Sequence, residues 1–480
     1  MIKESLMTLD ELLSSVHGKL IGNPKECFFT NVATDSREVV ENTLFVPLVG
    51  EFQDGHKYVP NAIKSGASVV LINLSEYKKN SFLYDDLVNE NPKVVIICVE
   101  NTLHGLQDAA ECYVEKFPNL TKISITGSSG KTTTKEMLVS VAKAHFGDSV
   151  VFTKGNLNSE TGLPLSVFQI RKNHKIGIFE MGMNRIGEIG EISKVLKSQF
   201  GIITNIGTAH IGILGSKRNI AQEKRKSFNY IPENGAVFVS CDDEFADFCT
   251  ENVKGKIVKF PSKNDGVKFL KDNGLFGTDF LLDGIEINLH LSGNYNYKNA
   301  LSVIACAKEL GISTEEIKSG LENVCSVNGR MEICKLDFPD KKNIMLIKDC
   351  YNANPDSMKN AIDFCSNLKN VGKRIYILAD MKELGESSVL AHQEIGKKIK
   401  ESNFDFVYLV GNEIEEAYKI LSEYKNVKWF QEKTDKVFEK IASEVNKNLS
   451  NFDVILLKGS HSMELEKLVP LIEKEGKGKN

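Results

Sequence analysis

A glycine-rich loop that ends in lysine and threonine is the part of the sequence best suited to chemistry. It lies between an apolar run, Ile123 to Thr126, and a helical pattern, Thr132 to Ala144. In this context the backbone N–H groups of the loop and the helix N-terminus point at phosphate oxygens. Lys131 would reach the outer phosphates, and the Thr132 hydroxyl would bind Mg²⁺. The loop residues are Gly127, Ser128, Ser129, Gly130, Lys131, Thr132 and Thr133.

The loop is a variant of the usual phosphate-binding pattern, because Ile125 stands where a glycine is common. The alternative is a glycine turn followed by an unrelated Lys-Thr pair. The predicted strand before the loop and the predicted helix after it favour the phosphate site.

An acid and a histidine follow two further predicted strands. Lys175 to Phe179 leads to Glu180, and Phe200 to Thr204 leads to His210. In an open parallel sheet, ligands lie beyond the carboxyl ends of the strands, so both side chains are expected beside the phosphate loop. A carboxylate suits Mg²⁺, whereas histidine is a less common ligand for it. Taken alone, a histidine such as His210 would more often be structural or exposed. Its place after a strand of this predicted sheet favours a role in the active site.

The elements that must position these residues form three α/β blocks. Short β-rich apolar runs alternate with amphipathic helical patterns, which indicates parallel sheets covered by helices. We predict a small mixed α/β domain over 1–103, a central domain with a phosphate loop and a parallel sheet over 104–328, and a Rossmann-like domain over 329–480. The other predicted elements are the strands Thr43 to Leu48, Ser68 to Ile72, Arg374 to Ala379, Phe406 to Val410 and Asp453 to Leu457, and a helix around Val59 to Ser65.

Composition excludes several classes of protein. The chain has 480 residues, enough for about three domains, and 60 basic against 64 acidic residues, so no basic excess favours nucleic acid. Its ten cysteines form no C-x-x-C pair, which argues against zinc ribbons and favours buried thiols in a reducing compartment. We find no apolar run typical of a signal peptide or a membrane helix, and a cytoplasmic protein is expected.

Longer strings of residues resemble the Mur ligases of peptidoglycan synthesis over nearly the whole chain. The strings are Thr126 to Thr133, Gly155 to Asn158, Gly162 to Leu165, Glu180 to Asn184, Asn205 to His210, Gly215-Ser216, Gly293 to Ala300, Gly329 to Met331, Asp349 to Pro355, Asp380 to Gly385 and Lys458 to Ser460. The sequence departs from the pattern at Tyr295 and Arg185, where histidine is usual, at Lys348, where aspartate is usual, and at His461, where arginine is usual.

The resemblance implies three α/β domains and an ATP- and Mg²⁺-dependent ligase that joins a carboxylate to an amine through an acyl phosphate. Tyr351 to Pro355 and Asp380 to Gly385 are similar to the members that add D-alanyl-D-alanine to UDP-N-acetylmuramoyl-tripeptide. The Asp-Asn-Pro-Arg string of a sister group is not found. The expected partners are these two substrates, and a monomer is expected. The alternatives are a folylpolyglutamate synthetase-like ligase and a non-catalytic nucleotide-binding homologue.

The resemblance also implies roles for individual residues. The expected catalytic residues are Lys131, Glu180, His210 and Lys224, and the Mg²⁺ ligands are Thr132, Glu180, His210 and Lys224. Besides the loop, the residues expected to meet ATP are Asn296, Asn299, Arg330 and Asp349. Ser36, Arg37, Asp54, Gly55 and His56 would hold the uridine diphosphate, and Asn156, Asn158 and Thr161 the muramyl-peptide. Asn352, Asn354, Lys458 and Ser460 would lie near the amine substrate.

Two of these residues have plain alternatives. Lys224 matches the lysine that many members carbamylate, yet by residue type alone it could be an ordinary surface lysine. The Lys458-Gly459-Ser460 string could be no more than a turn at a strand end.

Overall fold

Three large sheets covered by helices, and one small antiparallel sheet, organise the chain in a computed structural model that describes residues 4–22, 27–262 and 265–476. The fold confirms the predicted three-domain α/β class. Within these ranges no helix is both long and apolar enough to cross a membrane.

The N-terminal domain contains a five-stranded sheet with the order β1-β5-β4-β3-β2. The edge strand β1 is antiparallel to β5 and the other pairs are parallel, which makes the sheet mixed. The strand β5 is buried along its whole length, as expected for a strand covered on both faces. The elements are α1 Leu9–Val16, β1 Lys19–Ile21, β2 Asn31–Ala33, β3 Thr43–Phe45, α2 Val59–Lys64, β4 Ala67–Asn73, α3 Leu74–Lys79, α4 Ser81–Glu90, β5 Val95–Val99 and α5 Thr102–Glu115.

The central domain contains a six-stranded parallel sheet with the order β11-β10-β9-β6-β8-β7. The strand β6, which precedes the phosphate loop, lies between β8 and β9, so the residues after all three strands meet at one edge. The elements are β6 Thr121–Thr126, α6 Lys131–Phe146, β7 Val150–Phe152, α7 Gly162–Val167, β8 Ile176–Glu180, α8 Glu188–Leu196, β9 Phe200–Ile203, α9 Ile211–Leu214, α10 Lys217–Lys224, β10 Ala236–Ser240, α11 Ala246–Thr250, β11 Lys256–Phe260, α12 Asn294–Glu309 and α13 Thr314–Glu322.

A small antiparallel sheet inside the central domain was not predicted. Its strands are β12 Val267–Asp272, β13 Thr278–Leu282 and β14 Ile285–Leu289. Alternate side chains, such as Phe280 and Ile287, are fully buried in the core beside the parallel sheet. The turn Asp283-Gly284 has positive φ at both residues, which is the geometry of a tight hairpin. This Asp-Gly pair is the sequence signal that could have revealed the hairpin.

The C-terminal domain contains a second six-stranded sheet, with the order β15-β16-β20-β17-β18-β19 and an antiparallel edge strand β15. The predicted strands at Arg374 and Phe406 are confirmed to the residue. The elements are β15 Glu332–Leu336, β16 Ile344–Asp349, α14 Pro355–Asn367, β17 Arg374–Ala379, α15 Ser388–Lys400, β18 Phe406–Val410, α16 Glu415–Leu421, β19 Val427–Phe430, α17 Asp435–Asn448, β20 Val454–Lys458 and α18 Leu468–Gly476.

The predicted limits of the three domains stay predictions. The limit after residue 103 lies inside the helix α5, which runs from Thr102 to Glu115.

Candidate active site

The conformation of the phosphate loop is set by Gly130 and by a hydrogen bond to Asn205. Gly130 has a φ of 78° directly before α6, a conformation that favours glycine, and a Cβ there would lie 2.6 Å from the Asn299 Oδ1 atom. The backbone N–H of Ser129 donates to Asn205 Oδ1 at 3.1 Å. The loop therefore presents the N-terminus of the 16-residue helix α6 to the sheet edge, which is a preformed anion site.

Lys131 folds back over this loop. Its Nζ donates to the carbonyl oxygen of Gly127 at 2.9 Å, and the side chain is partly buried. Burial lowers the pKa of the Lys131 ammonium, while the nearby Glu180 carboxylate acts in the opposite direction. A phosphate on the loop would give this ammonium a stronger acceptor than a single carbonyl oxygen.

Oxygen donors suited to Mg²⁺ meet beside the loop. The Thr132 hydroxyl donates to Glu180 Oε2 at 2.8 Å, and Glu180, the last residue of β8, is buried. Among the described residues, no cluster of three or more His, Cys, Asp or Glu side chains is arranged to hold a metal ion. Mg²⁺ commonly uses one or two carboxylates and substrate phosphates, so one carboxylate and one hydroxyl beside a phosphate loop fit this ion.

Asn158 positions the carboxylate of Glu180. Its Nδ2 donates to Glu180 Oε1 at 2.7 Å, so the carboxylate is fixed from the side opposite Thr132. The contact between Asn158 and a muramyl-peptide, which the resemblance implies, stays a prediction.

We expect Asn158→Ala to raise the Mg²⁺ concentration for half-maximal nucleotide turnover roughly tenfold, the size of one hydrogen bond to a charged group. The reason is that the freed carboxylate can turn away from the metal position. Asn80→Ala is the matched control, because Asn80 donates to Glu76 Oε1 at the same 2.7 Å at the exposed C-terminal end of α3. Equal Mg²⁺ dependence in both variants would contradict this role.

His210 lies at the same edge with a strained backbone. It follows β9 and has a φ of 64°, which is uncommon for a residue other than glycine. Its Nδ1 lies 3.4 Å from Glu383 Oε2 of the C-terminal domain, an ion-pair distance without hydrogen-bond alignment. Burial lowers the pKa of the His210 imidazole, and Glu383 partly offsets this effect. A neutral imidazole is the form that can accept a metal ion or a proton.

Lys224 is fully buried at the end of α10, and its Nζ has no hydrogen-bond partner. Burial, together with the nearby Lys131 ammonium, holds the pKa of the Lys224 amine well below its usual range. This burial excludes the alternative that Lys224 is an ordinary surface lysine. An unpartnered buried amine requires neutralisation or chemical modification, because an isolated buried ammonium is very costly.

Arg330 and Asp349 lie where the C-terminal domain faces the central domain. The Arg330 guanidinium stacks on the Tyr351 ring at 4.1 Å, and its Nε is buried without a hydrogen-bond partner. Asp349 accepts from Lys458 Nζ at 2.6 Å.

Tyr295 stands where histidine is usual in the family pattern. Burial, with a further contribution from Asp349, raises the pKa of the Tyr295 phenol far above its usual range. The side chain at this position is therefore neutral.

The helix α12 brings two asparagines to the phosphate loop. Asn296 and Asn299 are buried, and the Nδ2 of Asn299 donates to Asn296 Oδ1 at 3.3 Å. Because a Cβ at Gly130 would lie against the Asn299 side chain, this pair lies next to the phosphate loop. Their contact with adenine stays a prediction.

The predicted uridine diphosphate residues lie together in the N-terminal domain. Arg37 pairs with Asp35 at the surface and is largely exposed. The His56 ring is buried, accepts from the backbone N–H of Asn73 at 3.0 Å and contacts Asp54 Oδ1 at 2.6 Å. His56 therefore also stabilises the N-terminal domain by its hydrogen bond to the end of β4. Ser36 begins the short 3₁₀ helix that contains Arg37, and Gly55 begins the one that contains His56.

The remaining substrate candidates differ in exposure. Asn156 is exposed, and Thr161, which precedes α7, is partly buried. The contact of both residues with a muramyl-peptide stays a prediction.

The predicted amine-site residues are largely engaged in structural contacts. Asn354 caps the N-terminus of α14, and Ser460 Oγ accepts from the backbone N–H of Lys382 at 2.9 Å. Lys458 is buried against Asp349 and also donates to the carbonyl oxygen of Asn352. Any role of Lys458 toward a substrate carboxylate would require it to share this ion pair, and that role stays a prediction.

Three sequence models of one family match separate parts of the chain. "Mur ligase family, catalytic domain" matches residues 29–113, "Mur ligase middle domain" matches 125–307, and "Mur ligase, glutamate ligase domain" matches 329–461. The chain belongs to the Mur ligase family. This confirms the resemblance that the motifs indicated.

Relatives of this Mur ligase match it from end to end. A UDP-N-acetylmuramoyl-tripeptide–D-alanyl-D-alanine ligase of Treponema pallidum is 38% identical, covering 98% of this chain and 100% of the relative. The Bacillus subtilis enzyme of the same name is 33% identical, covering 98% of each chain. A crystal structure of MurF from Acinetobacter baumannii has a TM-score of 0.84 at 27% identity, covering 99% of this chain and 100% of that one. A MurF ligase of Thermotoga maritima in complex with ADP has a TM-score of 0.75 at 26% identity, covering 93% and 97%.

The sequence analysis assigned no role to several residues that shape the site of this Mur ligase. Thr204 Oγ1 donates to the carbonyl oxygen of Ser129 at 2.6 Å, and Asn205 fixes the same loop residue. Glu383 was part of a recognised string, but its approach to His210 was not predicted. Polar residues directly after β9 were the available signal, since that strand neighbours β6.

Proposed function

We propose that this Mur ligase uses ATP and Mg²⁺ to join UDP-N-acetylmuramoyl-tripeptide to D-alanyl-D-alanine. The observation that carries the proposal is the meeting of the phosphate loop, the Thr132–Glu180 pair and the C-terminal domain at one edge of the central sheet. The names of the full-length relatives support these substrates, and the ADP complex of the Thermotoga maritima structure supports the nucleotide.

The reaction has three steps. An oxygen of the tripeptide's terminal carboxylate attacks the γ-phosphorus of ATP, the bond to the β-phosphate oxygen breaks, and ADP leaves. The amine of D-alanyl-D-alanine then attacks the carbonyl carbon of the acyl phosphate and loses a proton. The tetrahedral intermediate finally expels inorganic phosphate, which leaves a new amide bond.

The residues of this chain supply binding and charge neutralisation. The N–H groups of the loop and Lys131 hold the phosphates and offset the negative charge that develops during transfer. Glu180 and the Thr132 hydroxyl would hold Mg²⁺, which when bound neutralises phosphate oxygens. Docking of the C-terminal domain over this edge keeps water from the acyl phosphate.

The test is ADP release by the purified full chain across a panel of substrates. We expect turnover with ATP, Mg²⁺, UDP-N-acetylmuramoyl-tripeptide and D-alanyl-D-alanine together, and only background release when one of the four is omitted. Single amino acids should be far poorer amines. Turnover with glutamate, lysine or diaminopimelate on a shorter UDP-precursor, and none with D-alanyl-D-alanine, would overturn the substrate assignment.

We also propose that the protein works as a monomer in the cytoplasm, where ATP and nucleotide-linked precursors are available. Sedimentation of the free and ligand-bound protein tests the monomer. A concentration-dependent dimer at assay concentrations would contradict it.

A further inference from the structure

A hydrogen-bonded contact crosses from the C-terminal domain to the central domain at Asp356. This residue lies in the first turn of α14. Its Oδ2 accepts from the backbone N–H of Thr208 at 2.6 Å and from the Thr208 hydroxyl at 2.8 Å. Both donors belong to Thr208, in the segment that links β9 to His210. Thr208 lies two residues before His210 of the candidate active site.

The same segment is joined to the phosphate loop on its other side. The backbone N–H of Gly207 donates to Ser128 Oγ at 2.8 Å. A Cβ at position 207 would lie 2.5 Å from Asp356 Oδ2 and 3.3 Å from the Ser128 Cβ atom. The start of α14, the segment after β9 and the phosphate loop are therefore packed in three successive layers, without room for a side chain between them.

The acidic side chain at this position is explained by the contact. An acid in the first turn of a helix is favoured by the helix dipole, so its place in α14 alone would not indicate a partner. The two hydrogen bonds to one carboxylate oxygen do indicate one, because such charge-assisted bonds are stronger than neutral ones. Two other acids of the same domain, Asp363 on α14 and Glu394 on α15, pair instead with lysines of their own domain.

We propose that Asp356 is a positioning residue that fixes the C-terminal domain on the segment after β9. It acts through Thr208 and Gly207 on the phosphate loop and sets the distance between the amine and the acyl phosphate. This inference rests on the proposed function for its kinetic consequence, whereas the domain contact itself can be measured without turnover.

Asp356→Ala tests the proposal in the full chain. We expect kcat/KM for D-alanyl-D-alanine to fall roughly 10- to 100-fold, as for the loss of hydrogen bonds to a charged group. Affinity for a non-hydrolysable ATP analogue should change by less than about threefold, because the loop keeps its other contacts. Small-angle scattering should show a larger radius of gyration than for the wild type. The matched control Asp363→Ala removes an acid of the same helix that pairs with Lys398 and should match the wild type in all three measurements.

Two further variants separate positioning from a general loss of structure. Asp356→Asn keeps an acceptor oxygen for the Thr208 donors and should restore most of kcat/KM. Thr208→Val removes only the hydroxyl donor, and its effect should be non-additive with Asp356→Ala, as expected for two residues in one contact. Wild-type kinetics and radius of gyration in Asp356→Ala would overturn the proposal, as would additive effects. Failure of the wild type to use D-alanyl-D-alanine would overturn the proposed function, while the scattering comparison would still decide the domain contact.

Discussion

Lys131→Ala is expected to lower the rate of ADP release by at least about 100-fold while the fold stays intact. The lysine projects from the phosphate loop, and its Nζ now donates to the carbonyl oxygen of Gly127, within reach of a bound phosphate. Loss of one donor aimed at developing negative charge commonly costs 100- to 1,000-fold in rate. The helix α6 should survive, because it is held by buried residues such as Met137 and Leu138.

The measurement combines substrate-dependent ADP release with thermal unfolding and nucleotide binding. Lys143→Ala is the matched control, because it removes an exposed lysine from the same helix. A folded Lys131→Ala protein that turns over at the wild-type rate would show that the phosphate site is assigned to the wrong residue.

The second large effect is expected at Lys224, which we predict to be carbamylated in the active enzyme. Its amine is buried without a hydrogen-bond partner, and burial beside Lys131 holds its pKa well below the usual range. A neutral amine can attack carbon dioxide with loss of a proton, and the resulting carbamate is an anion that would pair with nearby Lys131 or Mg²⁺. Lys224→Ala should lower turnover roughly 100-fold, since no other anion replaces it.

The direction of the pH effect follows from the lowered pKa. At a pH above the lowered pKa the amine is neutral and can be carbamylated, so added bicarbonate should increase activity and thermal stability there. As pH falls, the amine is protonated and the carbamate is lost, and the bicarbonate effect should disappear. Isotopically labelled bicarbonate should give a carbamate signal in the wild type and in Lys217→Ala, an exposed lysine of the same helix, but not in Lys224→Ala. A bare amine under these conditions, together with an active Lys224→Ala variant, would refute the prediction.

The sequence determined the phosphate site and the elements around it, because these depend on local pattern. The strand β6, the glycines at 127 and 130 and the helix α6 follow one another without a gap, and backbone geometry alone makes such a unit an anion site. The strands at Arg374 and Phe406 are equally local, since 375–379 and 406–410 are both continuous apolar runs. The positions of Glu180 and His210 followed from a general rule about parallel sheets.

Tertiary structure alone decided the contacts between residues far apart in the chain. Asp356 meets Thr208 across 148 positions, and Lys458 meets Asp349 across 109. The sequence shows these residues only as an acid after a proline and a lysine at the end of a strand, because no local period encodes which distant group will lie opposite. Burial is decided in the same way: the amphipathic pattern of α10 does not show that the end of Lys224 has no access to water, and that enclosure is what changes the chemistry of its amine.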